Sequence, residues 1–139
     1  MSESMDTAVS RRQGPLTDLK VIEVCTTIAG PACARLLADF GADVIKIEPP
    51  EGDPVRQMGR HIDNVSLYAA SILRNKRSVV LDLKTPQGRE VAFELMARAD
   101  IVVENNRPGV MERLGLGYEA LSARNPGLVM VRISGFGRD

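Results

Sequence analysis

The chain has 139 residues, 44% of them hydrophobic, which is enough for one ordinary domain with its own core. Eighteen basic residues balance eighteen acidic ones, so the formal net charge is zero; a nucleic-acid binder or a protein held on an anionic membrane would show a basic excess. Cys25 and Cys33 fit no zinc or redox spacing and form no disulfide framework, no apolar run approaches the ~20 residues of a membrane span, and no signal peptide is evident, so the expectation is a cytoplasmic protein with free thiols, no metal, and neither nucleic acid nor membrane as partner.

The first 14 residues are polar and aperiodic and are expected to form a flexible tail, with a single folded unit over 15–139. Leu19 to Cys25 is rich in β-branched residues and reads as a first strand. Pro31 to Phe40 reads as a helix with Ala32, Leu36, Leu37 and Phe40 on its buried face, Pro31 at the first helical position and Gly41 as the left-handed residue past its end. Val44 to Glu48 is a second strand, followed by a polar stretch to about Val65 and a short helix from Ser66 to Leu73. Ser78 to Leu83 is a third strand. Thr85-Pro86 then opens a helix to Ala99 with an apolar stripe of Val91, Leu95 and Met96. Ile101 to Glu104, a helix from Tyr118 to Arg124, and a last strand from Leu128 to Ile133 complete the pattern. Strands alternating with helices predict an α/β fold: an open, largely parallel sheet with flanking helices and right-handed crossovers.

Ligands of such sheets sit beyond the carboxyl ends of the strands. Those ends lead here into Thr26 to Gly30, Pro49 to Arg60, Lys84, Asn105 to Arg113 and Ser134 to Asp139. The first of these turns holds one glycine and a proline, so it is not the G-x-G-x-x-G fingerprint of dinucleotide binding; Gly135-Phe136-Gly137 is a lone G-x-G. Glu104-Asn105-Asn106-Arg107-Pro108-Gly109, with Arg113 close behind, sets two arginines and two amides near a strand end. That suits a phosphorylated ligand, although the same pattern describes a solvated loop leading into a helix. Asn75-Lys76-Arg77 is a second basic cluster and reads as an exposed turn. His61 reads as a surface residue.

Several blocks, in order, carry a resemblance: Ala29-Gly30-Pro31; Leu37-Ala38-Asp39 with Gly41 to Pro50; Gly52-Asp53-Pro54; Asn75 to Ser78; Leu81 to Lys84; Val103-Glu104-Asn105 with Arg107-Pro108-Gly109; Leu114-Gly115; and Ser134 to Gly137. From about Pro15 onward the chain resembles the class III coenzyme A transferases, the superfamily of formyl-CoA transferase, carnitine-CoA transferase and α-methylacyl-CoA racemase. The resemblance implies the amino-terminal portion of that superfamily's large domain, a Rossmann-like sheet that binds coenzyme A. It implies that Thr27 and Ile28 contact the cofactor, that Leu81, Asp82, Leu83 and Lys84 line its adenine end, that Asn105, Asn106 and Arg107 form a contacting segment, and that Arg113 binds phosphates. Two departures stand out. Pro49 occupies a place where several members have an arginine. Thr26 and Ile28 replace the histidine and glutamine of the formyl and oxalyl transferases, which argues against those substrates.

The chemistry implied is covalent. An aspartate attacks the acyl-CoA thioester, and the acyl group or coenzyme A passes to an acceptor acid through a mixed anhydride and an aspartyl thioester. By resemblance that aspartate lies beyond Asp139, which itself reads as a solvated loop residue. Glu48, Asp53 and Glu104 stand near strand ends without a neighbouring base. The family chain is longer and two copies interlock. The expectation is therefore the coenzyme-A-binding part of an acyl-CoA:carboxylate CoA-transferase, inactive alone, acting as a homodimer or with a complementary chain. An isolated sheet with uncovered apolar faces is expected to self-associate or to be marginally stable. The alternatives are an acyl-CoA racemase of the same superfamily and a non-catalytic fragment that binds coenzyme A or a partner.

Overall fold

The computed structural model of the chain describes residues 14–137; the expected tail, apart from Gly14, and Asp139 lie outside the described residues. Five strands form one parallel sheet: β1 (Lys20–Val24), β2 (Asp43–Glu48), β5 (Lys76–Val80), β6 (Ile101–Glu104) and β7 (Val129–Arg132). Their order across the sheet is β5-β2-β1-β6-β7, and every neighbouring pair is parallel. The chain winds outward from β1 in one direction and then returns to continue in the other, the doubly wound arrangement of Rossmann-like sheets.

Strand alternation divides the sheet into two faces. Val21, Val44 and Val103 face α1 (Ala29–Asp39) and form one core with Cys25, Ala34, Ala38 and Ala42. Ile22, Ile47 and Val102 point the other way, into a core with Ala92 and Met96 of α3 (Pro86–Ala97) and Leu121 of α5 (Tyr118–Arg124). Between β2 and β5 lie a 3₁₀ turn (Pro54–Gln57), a small hairpin and α2 (Leu67–Ile72), joined by the cluster Val55, Ala69 and Ile72. The hairpin pairs β3 (His61–Ile62) with β4 (Val65–Ser66) antiparallel through Asp63 and Asn64. Both turn residues have positive φ, 48° and 62°, as a two-residue primed turn requires. The sequence reading of this stretch as polar and elementless missed the hairpin, because Asp-Asn is a weaker hairpin signal than Asn-Gly.

Four helix and strand expectations need correction. Pro31 is the third residue of α1 rather than the first, still within the turn whose N–H groups need no helical acceptor. The buried face of α1 is Gly30, Pro31, Ala34 and Ala38, whereas Leu36 and Phe40 are 51% and 54% exposed. Small residues face the sheet because the helix lies close to it: a Cβ on Gly30 would come within 2.3 Å of Cys25 Sγ and 2.6 Å of Cys25 Cβ. On α3, Val91 is 47% exposed and the buried residues are Gly88, Ala92 and Met96, with Thr85 Oγ1 accepting from Gly88 N as the cap. The third parallel strand runs over Lys76–Val80, not Ser78–Leu83, because Leu81 N makes the last ladder bond, to Glu48 O at 2.9 Å, before the chain turns at Asp82. Gly41 does take φ 104° after the C-cap Phe40, as expected.

This packing predicts opposite outcomes for two substitutions on one helix. Gly30→Ala, although favoured by helix propensity, should lower unfolding free energy by about 1–3 kcal/mol through overpacking against Cys25. Leu36→Ala should stay within about 0.5 kcal/mol of the parent. Urea denaturation of both variants checks the pair.

Candidate functional site

The strand order reverses its direction of growth at β1, whose neighbours are β2 and β6. The connections leaving β1 and β6 therefore diverge to opposite faces and open a crevice at their carboxyl ends. Two asparagines tie its lips. Asn105 Oδ1 accepts from Thr26 N at 2.9 Å while its Nδ2 donates to Thr26 O at 2.8 Å, and Asn106 Nδ2 donates to Val24 O at 3.2 Å. Glu104, buried at the end of β6, accepts from Asn106 N at 2.7 Å. The asparagines thus have a backbone-fastening role that the sequence reading did not assign them.

Beneath the turn after β1 lies a cluster of four buried charges. Glu23, Lys46 and Lys76 project from β1, β2 and β5 toward the α1 side, and Asp53 enters from the loop after β2. Lys46 Nζ sits 2.7 Å from Glu23 Oε1, 2.8 Å from Asp53 Oδ2 and 2.7 Å from Cys25 O. Lys76 Nζ sits 2.6 Å from Glu23 Oε2 and 2.7 Å from Pro31 O. Two ammoniums against two carboxylates leave the cluster neutral, which is how charges survive in a low-dielectric interior. Burial acts strongly against the charged form of Lys46, but the Glu23 charge and the hydrogen bonds with Asp53 and Glu23 outweigh it and hold the ammonium above the ordinary lysine value. For Lys76, burial outweighs Glu23 and moves the value down. Burial, reinforced by the Glu23 charge, pushes the Cys25 thiol well up, so it is a poor nucleophile.

Asp53 also reaches the turn. Its Oδ1 accepts from Val55 N at 2.9 Å, capping the 3₁₀ turn, and from Thr27 N at 3.4 Å. Thr27 has φ 70°, a left-handed conformation that a β-branched residue adopts only under constraint. Next to this, Glu48 is gripped by Arg56, whose Nε and Nη2 lie 2.8 and 2.5 Å from its two oxygens, by Ser78 Oγ, and by Asp53 N at 3.1 Å. Burial favours the neutral acid, yet these bonds prevail and hold the Glu48 carboxyl down at about 2.

A cleft of about 200 Å³ opens beside the crevice. Val24, Cys25 and Thr26 line it from β1, Ile47 with Pro49 to Glu51 from β2, and Leu81, Asp82, Leu83 and Lys84 from the turn after β5, with Asn106 at its rim. Of the residues singled out in the sequence, Leu81 to Lys84 and Asn106 come together here. Thr27 and Ile28 lie in the neighbouring turn, Ile28 more than half exposed. Arg107 and Arg113 are exposed, and neither forms an ion pair with another described residue. Arg113 ends α4 (Val110–Arg113), and its guanidinium lies back against the β6 loop, with Nη1 3.1 Å from where a Cβ on Gly109 would stand. A larger cavity, about 350 Å³, lies elsewhere, among Glu112, Gly115, Gly117 to Ala120 and Arg132. It contains none of the candidate binding residues that the sequence singled out.

The reading of Asn75-Lys76-Arg77 as an exposed turn is corrected for Lys76, a strand residue with its ammonium sealed against Glu23. His61 is exposed, as read. Glu23 and Lys46 were not singled out as candidate site residues. Their signal was present: a lone charge of opposite sign inside each of the apolar runs Val21-Ile22-Glu23-Val24 and Val44-Ile45-Lys46-Ile47.

The family model described as CoA-transferase family III matches residues 16–139. Succinyl-CoA–D-citramalate CoA-transferase of Chloroflexus aurantiacus is 51% identical over 126 residues, covering 89% of this chain and 31% of that protein. Succinyl-CoA–L-malate CoA-transferase alpha subunit of Chloroflexus aurantiacus is 43% identical over 143 residues, covering 99% and 33%. Among solved structures, a CAIB/BAIF family protein from Brucella suis superposes with a TM-score of 0.86 at 41% identity, over 92% of this chain and 35% of that one. The chain spans about a third of the length of these relatives.

Glu48 predicts a defined acid limb of stability. Its folded value of about 2 lies below the ~4.3 of a free glutamate. Folding therefore favours the ionised form, and the stabilisation is complete above the unfolded value and lost as pH falls from about 4.5 toward 2. The loss should be on the order of 2 kcal/mol. Glu48→Gln should be less stable at neutral pH and should lack this part of the acid limb, as read by chemical denaturation at a series of pH values.

Proposed function

Because the chain belongs to CoA-transferase family III, we propose that it forms the coenzyme-A-binding part of an acyl-CoA:carboxylate CoA-transferase. The observation that carries the reading is the cleft at the strand ends, which gathers Leu81, Asp82, Leu83, Lys84 and Asn106 beside the left-handed turn at Thr27. In this reading Ile47, Pro49, Pro50, Leu81 and Leu83 offer an apolar wall to the adenine, and two consecutive prolines keep that wall rigid. Lys84 supplies a cation at its mouth. Arg107 and Arg113, unpaired with other described residues, take the pyrophosphate and 3′-phosphate, for which a guanidinium offers paired donors. Thr27 and Ile28 border the acyl end, and Asn105 and Asn106 hold the lips of the crevice in register.

The reacting carboxylate in this reading comes from outside the described residues. Glu23, Glu48, Asp53 and Glu104 are buried and already hold cations or backbone N–H groups. The transfer itself breaks the thioester C–S bond as a carboxylate oxygen bonds to the acyl carbon, giving an anhydride and a coenzyme A thiolate. The thiolate then attacks the enzyme's acyl carbon in that anhydride, releasing the donor acid and leaving an enzyme thioester for the acceptor. By their names, the two Chloroflexus relatives use succinyl-CoA; only the class, an acyl-CoA and a carboxylic acid, is carried here. The chain alone should catalyse no thioester exchange, while still binding coenzyme A.

Free Cys25 and Cys33 suit a reducing, cytoplasmic setting. Among the described residues no helix is long and apolar enough to cross a membrane. For assembly we propose pairing with a second copy or a complementary chain. One relative bears the name of an alpha subunit, and Ile28, Leu36 and Phe40 leave apolar surface on and beside α1. Sedimentation velocity at tens of micromolar should show species heavier than 15.1 kDa; a compact, stable monomer would contradict the pairing.

Isothermal titration of coenzyme A into the chain tests the site. Arg107→Ala and Arg113→Ala should each weaken binding about tenfold, the scale of one charge-assisted contact. Coenzyme A lacking its 3′-phosphate should bind more weakly to the parent. Unchanged constants for both variants would remove the arginines from the site, and a parent chain with no affinity would overturn the reading.

A further inference from the structure

The turn Cys25 to Ile28 adopts a conformation that its own sequence disfavours. Thr27 is β-branched with φ 70°, and Ile28, the N-cap of α1, has no side-chain cap. A strained turn persists only where its surroundings over-determine it. Two buried groups do so here. Lys46 Nζ donates to Cys25 O at 2.7 Å from below, and Asp53 Oδ1 accepts from Thr27 N at 3.4 Å from the side. These two groups are themselves joined, Lys46 Nζ to Asp53 Oδ2, at 2.8 Å. Both side chains are about 1% exposed, so a thioester lying over the turn would touch neither. On the opposite side Asn105 clamps Thr26 through both its N–H and its carbonyl, so the turn is held from two sides of the crevice.

We propose that the buried Lys46–Asp53 pair is a positioning device, holding the Thr27 turn in its left-handed conformation and so setting where the acyl thioester lies. This rests on the functional reading above, in which the same turn borders the acyl end of coenzyme A. Glu23 and Lys76 have a different task. They form a neutral pair in their own right, with Lys76 fastened to Pro31 O in the first turn of α1. That separation makes the proposal testable. Removing Lys46 alone would strand Glu23 and Asp53 as buried carboxylates, and removing Asp53 alone would leave an excess ammonium; either single variant risks failure to fold. Removing both leaves the Glu23–Lys76 pair neutral, and Ser at position 53 can still cap the 3₁₀ turn.

The experiment compares the parent with the double variant Lys46→Met/Asp53→Ser by amide hydrogen exchange and by titration of acetyl-CoA. Exchange at Thr27 should accelerate at least tenfold, while amides of β6 and α3 keep their protection, and acetyl-CoA affinity should fall about tenfold. Exchange at Thr27 that is unchanged, or that rises only in step with β6 and α3, overturns the proposal. So does an unchanged acetyl-CoA constant in a variant whose turn has loosened. Lys46→Met/Asp53→Asn, which keeps an acceptor at the Oδ1 position, should restore much of the Thr27 protection; failure of that rescue also counts against the pair. A parent chain that binds no acetyl-CoA defeats the functional reading alone, because the exchange measurement still decides whether the pair fixes the turn.

Discussion

Neutrality of a buried charge cluster is the constraint on which the crevice end of this protein depends. Glu23, Lys46, Lys76 and Asp53 come from three adjacent strands and a loop, and each is buried against an opposite charge supplied by another of the four. An unpaired charge in this interior would be destabilising by several kcal/mol, so the cluster enforces register. A slip of one residue in β2 would send Lys46 to the opposite face, into the core of Ile22 and Met96, and leave buried Asp53 without its cation. The same ammoniums spend their remaining hydrogen bonds on Cys25 O and Pro31 O, two carbonyls at the junction of β1 and α1. Strand pairing and the shape of the first turn are in this way one structural problem with one solution.

From that junction the rest of the site follows by packing. Gly30 brings α1 down against Cys25, and the small face Ala34 and Ala38 continues the close approach along the helix. Asn105 and Asn106 cross the gap between the two halves of the doubly wound sheet, which no ladder bond spans beyond the strand ends. Glu48, at the end of β2, collects Arg56, Ser78 and Asp53 N, and so joins the loop after β2 to β5. Binding residues on loops are useful only when a rigid frame holds them. Here the frame is a set of buried polar groups, nearly all satisfied, that lies directly under the proposed ligand.

Much was legible in the residues themselves. Runs rich in Val and Ile located β1, β2, β6 and β7 to within a residue or two at each end, and the alternation with helices pointed to a parallel sheet. Gly41 after the first helix and Thr85-Pro86 before α3 marked ends by local backbone chemistry, which is why they hold in the structure. The ordered blocks from Ala29-Gly30-Pro31 to Ser134-Gly135-Phe136-Gly137 carried the family resemblance, and the family match over residues 16–139 agrees with it.

Tertiary structure decided the rest, because it turns on distances between residues far apart in the chain. Hydrophobicity alone selected Leu36 and Phe40 for the core of α1; the closeness of Cys25 gave that face to Gly30 and Ala34 instead. Charge alone placed Lys76 in an exposed turn; a carboxylate 53 positions earlier drew it into the sheet and moved the start of β5 with it. Asn105 and Asn106 read as ligand contacts; pairing across the crevice adds a backbone-fastening role that no local pattern announces. Local propensity and pattern determined which segments are strands and helices. Which polar groups are buried, and therefore which residues hold the site in shape, depended on the partners that the folded sheet brought within hydrogen-bond reach.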